Sequence, residues 1–112
     1  MTTVKYDRPG LCMEIRGHAG AAPAGEDLVC AAASMLAWTL VDVVSETAEY
    51  YAHVEIREDG ASITARASPD YELEDICYAV YDTIGTGFEI LAEKYPEYVS
   101  YEMIGGKDDG EV

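Results

Sequence analysis

Gly17 to Ser34 reads GHAGAAPAGEDLVCAAAS, and the way this stretch folds decides the architecture. It opens on His18, at the end of a segment that alternates like a strand. It then crosses a run of small residues and closes on Cys30, inside a segment with helical periodicity. A strand-to-helix junction satisfies both halves. Asp27 is a good N-cap type, so the predicted helix starts near it, with Cys30 in the first turn. Gly20 to Gly25 has no large side chain to anchor it and reads as a mobile loop.

Upstream of the junction, Leu11, Met13 and Ile15 fall on one side of a strand and Cys12, Glu14, Arg16 and His18 on the other. Thr2 to Tyr6 pairs with it as a hairpin through Asp7-Arg8-Pro9-Gly10, a strong turn signal. Downstream, Val29, Ala33, Leu36, Leu40 and Val43 recur at helical spacing to about Glu46. Glu49 to Arg57 and Ala61 to Ala67 read as a second hairpin around Glu58-Asp59-Gly60. Ser68-Pro69-Asp70 then starts a second helix, Tyr71 to Lys94, with Leu73, Ile76, Val80, Ile84, Phe88 and Leu91 as its inward stripe. Gly85 and Gly87 lie within that helix, where each costs about 1 kcal/mol against Ala, so close packing or a kink is expected there. Tyr98 to Ile104 is a last strand, and Gly105 to Val112 an acidic tail expected to fray. Hairpins alternating with helices predict an α+β two-layer sandwich: a mainly antiparallel sheet of about five strands, with two helices on one face.

The length of 112 residues fits one domain, 1–112. The net charge of −15, from 22 acids and 7 bases, repels phosphate backbones and disfavours nucleic acid. It suits a basic partner, or simply keeps a small protein in solution. The longest apolar run, Leu28 to Val44, is interrupted by Ser34, Thr39 and Asp42, so no membrane association is expected. The opening MTTVKYDRPG lacks a secretion-signal layout, which makes the cytoplasm the expected location. Three cysteines without a CxxC pair argue against a disulfide framework and against zinc. Gly85-Thr86-Gly87 is too short for a phosphate loop, so neither cofactor nor metal is expected.

Chemistry concentrates at the junction. A cysteine in the first turn of a helix meets free N–H groups and the positive end of the dipole, which favour thiolate. A histidine within reach would complete an activated nucleophile, and the amides of the same turn could hold an oxyanion. Against this, a small buried hydrophobe is the commonest role of a free cysteine, and an isolated histidine is more often an ordinary surface residue. Asp27 either caps the helix or orients the imidazole, and Ser34, one turn beyond Cys30, either supports the site or packs. Cys12, Cys77 and His53 read as structural.

Gly17-His18-Ala19, followed by Gly25-Glu26-Asp27-Leu28-Val29-Cys30-Ala31-Ala32-Ala33-Ser34, resembles the motif of the ribosomal-processing cysteine protease family, Prp. The likeness extends through the second helix with its glycine and through Lys94-Tyr95-Pro96-Glu97-Tyr98-Val99. This resemblance implies a cysteine endopeptidase with Cys30 as nucleophile and His18 as base. Gly17, Ala19, Gly25, Asp27 and Ser34 would support the site or form the substrate loop. It also implies a homodimer, and as substrate the precursor of ribosomal large-subunit protein twenty-seven, trimmed of a short N-terminal extension. The loop Ala19 to Glu26 would order over that substrate, although here it holds Pro23 and no aromatic residue. The alternatives are a non-catalytic module that binds a basic ribosomal or other peptide and, less well supported because no resolving cysteine stands near Cys30, a redox sensor.

Overall fold

Alternation in the first two strands orients the whole sheet. The computed structural model describes residues 1–17, 25–59 and 62–105, excepting the side chains of 25–27 and 47–59. Strand β1 (Thr2–Asp7) pairs antiparallel with β2 (Cys12–Arg16). Thr2, Val4, Tyr6, Leu11, Met13 and Ile15 are buried, as the period of two requires. The intervening turn closes on Leu11 at φ 46°. This unusual conformation is held by the Leu11 N–H donating to the Arg8 carbonyl at 3.1 Å, and by the Leu11 carbonyl accepting from the Ala67 N–H at 3.0 Å.

Helix α1 (Gly25–Tyr51) leads directly into β3 (Ala52–Asp59). It outlasts the predicted end at Glu46 because no Gly or Pro interrupts the chain there, and the alternation beginning at Tyr50 takes over only at Ala52. Strand β4 (Ser62–Pro69), a single 3-10 turn (Tyr71–Leu73), α2 (Glu74–Lys94) and β5 (Val99–Ile104) complete the chain. The hairpin tip at Gly60 and the tail beyond Gly105 lie outside the described residues.

The five strands run in the order β3-β4-β2-β1-β5. The α+β two-layer expectation holds, with a correction: the sheet is mixed. Three pairings are antiparallel, whereas β5 lies parallel to β1, because α2 carries the chain back across β2 and β1 before β5 begins. Two crossovers, β2-α1-β3 and β4-α2-β5, run in opposite directions along the sheet from oppositely directed strands. Right-handed connections then put both helices on the same face.

Val29, Ala33, Ala37, Leu40 and Val44 of α1 meet Cys77, Tyr81, Ile84, Phe88 and Leu91 of α2 in one core, over Val4, Tyr6, Met13, Ile15, Ala65, Ala67 and Val99. The α2 stripe departs from prediction in its first half. Ile76 is 48% exposed, and Cys77 and Tyr81 point inward instead. Tyr81 stacks on Tyr6 with centroids 5.9 Å apart, and its buried hydroxyl donates to the Ala65 carbonyl at 3.0 Å, so a polar ring satisfies the inner position. Close packing accounts for the two glycines. A Cβ at Gly85 would lie 2.7 Å from the Tyr101 hydroxyl and 3.3 Å from the Tyr6 ring, and one at Gly87 would lie 2.7 Å from a Leu36 methyl. Burial pushes the Tyr101 phenol up to about 12.

The turn end of the sheet is tied to α2 by a charged cluster. Arg8 donates to both carboxylate oxygens of Asp82 at 3.0 Å, the Tyr6 hydroxyl donates to the same carboxylate at 2.7 Å, and the Arg8 guanidinium lies 4.6 Å from the centre of the Tyr78 ring. Hydrogen bonding to Asp82 raises the Arg8 pKa. Burial first, and the bond to Asp82 second, push the Tyr6 phenol up, so it remains a donor.

The expectation that no segment resembles a membrane span also needs correction. Leu28–Glu46, 19 residues, is long and apolar enough to cross a membrane by length and composition alone. Thr39 does not break the run, because its hydroxyl donates to the Met35 carbonyl at 2.6 Å and is satisfied within the helix.

Candidate active site

The chain direction places the junction. β2 ends and α1 begins at the same end of the sheet, where β1 also starts. Of the predicted site, Gly17 at the end of β2 and Cys30 near the start of α1 fall toward this same end. His18 and Ala19 themselves lie outside the described residues, as does most of the loop to Glu26.

Cys30 stands on α1, half-buried against the core. Helix α1 begins at Gly25 rather than near Asp27. Cys30 is thus its sixth residue and belongs to the second turn, not the first. Asp27 lies inside the helix and does not serve as its N-cap; its side chain lies outside the described residues. The free amides of the opening turn precede Leu28, so they do not include that of Cys30. The acids Glu26 and Asp27 fall in the first turn, the end of the dipole that favours negative charge.

Access to the sulfur is set by its neighbours on the helix. Ala31 and Ser34 are exposed and Ala32 is half-buried, so the described residues that follow Cys30 on α1 up to Ser34 are all small. Leu36 packs against Gly87 and so marks the side of α1 that faces α2. Cys30, six residues earlier, is about 120° around the helix and does not face α2. Among the cysteines, Cys77 is buried and its thiol is pushed up by desolvation, which suits a structural role. Cys12 is half-buried in β2, in register with Asp7 and Arg66. All three are free thiols. Among the described residues, no group of three His, Cys, Asp or Glu side chains could hold a metal ion.

Sequence reasoning singled out neither the outer face of α1 nor the neighbour of Gly17. Leu28 (75% exposed), Met35 (67%) and Trp38 (50%) follow one another along the outside of α1, opposite its inward row. Their spacing of seven and three residues was the available signal. Gly17 has a φ of 84° and lies against the carbonyl of Met1.

An α+β domain that carries a half-buried free thiol near the start of a helix is built as a thiol hydrolase can be. The family comparison is more specific: residues 1–100 match the model described as cysteine protease Prp. The chain belongs to that family and is a cysteine protease. The S. aureus ribosomal processing protease Prp, in complex with a covalently linked product peptide, is similar to it with a TM-score of 0.69 and 22% identity. That match covers 92% of this chain and 99% of the other. The same S. aureus protease with a substrate peptide matches at a TM-score of 0.66 and 18% identity, covering 91% and 96%. SMU.848 from Streptococcus mutans matches at 0.66 and 24%, covering 92% and 91%. These likenesses concern the fold. No curated protein matches the chain.

Proposed function

We propose that this protein is an endopeptidase of ribosomal protein maturation, with Cys30 as nucleophile and His18 as general base. The observation that carries the reading is the placement of Cys30: a half-buried thiol followed by small residues, on the helix that follows the Gly17-His18-Ala19 motif in sequence, in a chain of the Prp family. The Cys30 thiol gives its proton to His18, and its sulfur attacks the scissile carbonyl. The tetrahedral intermediate collapses as His18 returns the proton to the leaving amine. Water, deprotonated by His18, then hydrolyses the thioester and frees the thiol.

The proposed substrate is the precursor of ribosomal large-subunit protein twenty-seven, trimmed at its N-terminus. The S. aureus structures with substrate and product peptides support a peptide substrate in this fold. The charge of −15 suits a basic one and opposes nucleic acid. The cytoplasm, where ribosomal proteins are assembled, is the proposed location.

A homodimer is part of the proposal. Only 28% of Leu28–Glu46 is buried within the chain. Leu28, Met35 and Trp38 together form an outward apolar strip for a second copy to cover.

The test is incubation of the host's own large-subunit protein twenty-seven, in a form carrying an N-terminal extension, with the wild type and with Cys30→Ala, read by intact mass. The expected result is loss of an N-terminal segment with the wild type alone. An uncut precursor in both reactions, or equal cleavage in both, would overturn the proposal.

A further inference from the structure

We infer that the outer edge of β5, with the side of α2 above it, is a docking groove for a basic segment of another protein, taken up in extended form as one more strand of the sheet. The inference stands on β5 and α2 and uses neither Cys30 nor His18, so it can fail while the cleavage reading holds, and the reverse.

The backbone makes the first half of the case. β5 ends the sheet order, with β1 on one side and no strand of the described residues on the other. Its even-numbered residues turn their backbone groups to β1. The Thr2 N–H donates to the Tyr98 carbonyl at 2.8 Å, and the Arg8 N–H to the Ile104 carbonyl at 3.1 Å. These groups alternate in direction along a strand, so those of Val99, Tyr101 and Met103 point outward. The Val99 N–H donates to the Tyr95 carbonyl at 3.0 Å. The N–H groups of Tyr101 and Met103 remain to pair with an added strand, which is how an open sheet edge takes up a peptide.

Charge makes the second half. Gly85 of α2 abuts the Tyr101 hydroxyl, and Glu89, one turn further on, acts with burial to raise the Tyr101 phenol. Glu93 lies one more turn along the same side of α2. Both glutamates are exposed, and neither makes an ion pair among the described residues. Lys94 stands about 100° round the helix from Glu93. On the open face of the sheet, Glu102 is in register with Lys5, so that side is balanced. The groove is therefore negative on its helix side alone.

That asymmetry selects the occupant. Alternate residues of a strand lie about 6.6 Å apart on one face, close to the rise of about 6 Å between Glu89 and Glu93. A chain with lysine or arginine at every second position sets successive cations against successive glutamates while its backbone pairs with Tyr101 and Met103.

The test uses the full chain and a fluorescein-labelled peptide, Lys-Thr-Lys-Val-Lys-Thr-Lys, read by anisotropy. Amide hydrogen exchange of the protein is the second readout. Two further peptides carry N-methyl groups, one on the lysine amides and one on the Thr and Val amides. With the lysines turned toward α2, either strand direction aims only one of these sets at β5. One methylated peptide should bind at least about tenfold more weakly than the other. Bound peptide should slow exchange of the Tyr101 and Met103 amides by at least about tenfold. Glu89→Gln combined with Glu93→Gln should weaken binding about tenfold at constant salt. Cys30→Ala should bind as the wild type does.

The inference is overturned by no binding at millimolar peptide, by equal binding of the two methylated peptides, by unchanged exchange at Tyr101 and Met103, or by undiminished binding in the double glutamine variant. Loss of binding in Cys30→Ala would place the peptide elsewhere and overturn it as well. Protection of the same two amides that grows with protein concentration and without peptide would show a second copy on this edge, and would overturn it too. None of these outcomes depends on whether the precursor is cleaved.

Discussion

The two helices share one core and differ in what they do with their other sides. α2 is tethered: Asp82 holds Arg8 and Tyr6, Tyr81 stacks on Tyr6, and Gly85 admits the Tyr101 ring. Its exposed surface mixes Ile76 and Ile90 with Asp75, Glu89 and Glu93. From Leu28 to Glu46, α1 carries only two charges, Asp42 and Glu46, and exposes Leu28, Met35 and Trp38. It also bears Cys30, the less buried of the two helical thiols. The difference teaches that α2 holds the sheet together while α1 is left with an outer face to use.

The largest effect expected from breaking this contrast is on association. Trp38→Glu combined with Met35→Glu should weaken the proposed homodimer by about 3 kcal/mol, roughly a hundredfold in Kd, while the monomer stays folded. Sedimentation velocity across a dilution series reads this. A wild type that is monomeric at all concentrations, or that floats with anionic vesicles, would show that no second copy covers the face.

Asp82→Ala should come next. It removes a charged acceptor from Arg8 and leaves the Tyr6 hydroxyl, on a fully buried ring, without this partner. The expected loss is about 2 kcal/mol in urea unfolding, with catalysis in the folded enzyme unchanged. A loss below about 0.5 kcal/mol would return α2 to the status of an ordinary packed helix.

The two glycines sharpen the contrast at the smallest scale. Gly85→Ala pushes on Tyr101 and on the fully buried Tyr6 ring, and should destabilise by about 1 kcal/mol despite better helix propensity. Gly87→Ala meets the tip of a half-buried Leu36, which can rotate, and should be near neutral. Equal losses would mean that α1 and α2 are equally fixed against their neighbours.

Most of the fold was legible because alternation and helical period are local signals. Leu11, Met13 and Ile15 turned inward as their spacing demanded, and Val29, Ala33 and Leu40 did the same at helical period. The parallel pairing of β5 with β1 was not legible, since nothing in Tyr98 to Ile104 states its neighbour. The α2 stripe was misread at Ile76 because hydrophobicity alone ranks Ile above Tyr. Only the Ala65 carbonyl and the Tyr6 ring make position 81 a good place for a phenol. At the candidate site, the motif singled out Cys30 and Gly17. The helix start was not, because Asp27 is as acceptable in a first turn as at the cap.

The central claim is that one of three free thiols, Cys30, does the work. The most direct test sets Cys12→Ala, Cys30→Ala and Cys77→Ala beside the wild type in the same precursor-cleavage assay, each first shown to be folded. The account predicts cleavage by all but Cys30→Ala, whose rate should fall by at least about a thousandfold. Cleavage by Cys30→Ala at the wild-type rate, or loss confined to Cys12→Ala or Cys77→Ala, would contradict it.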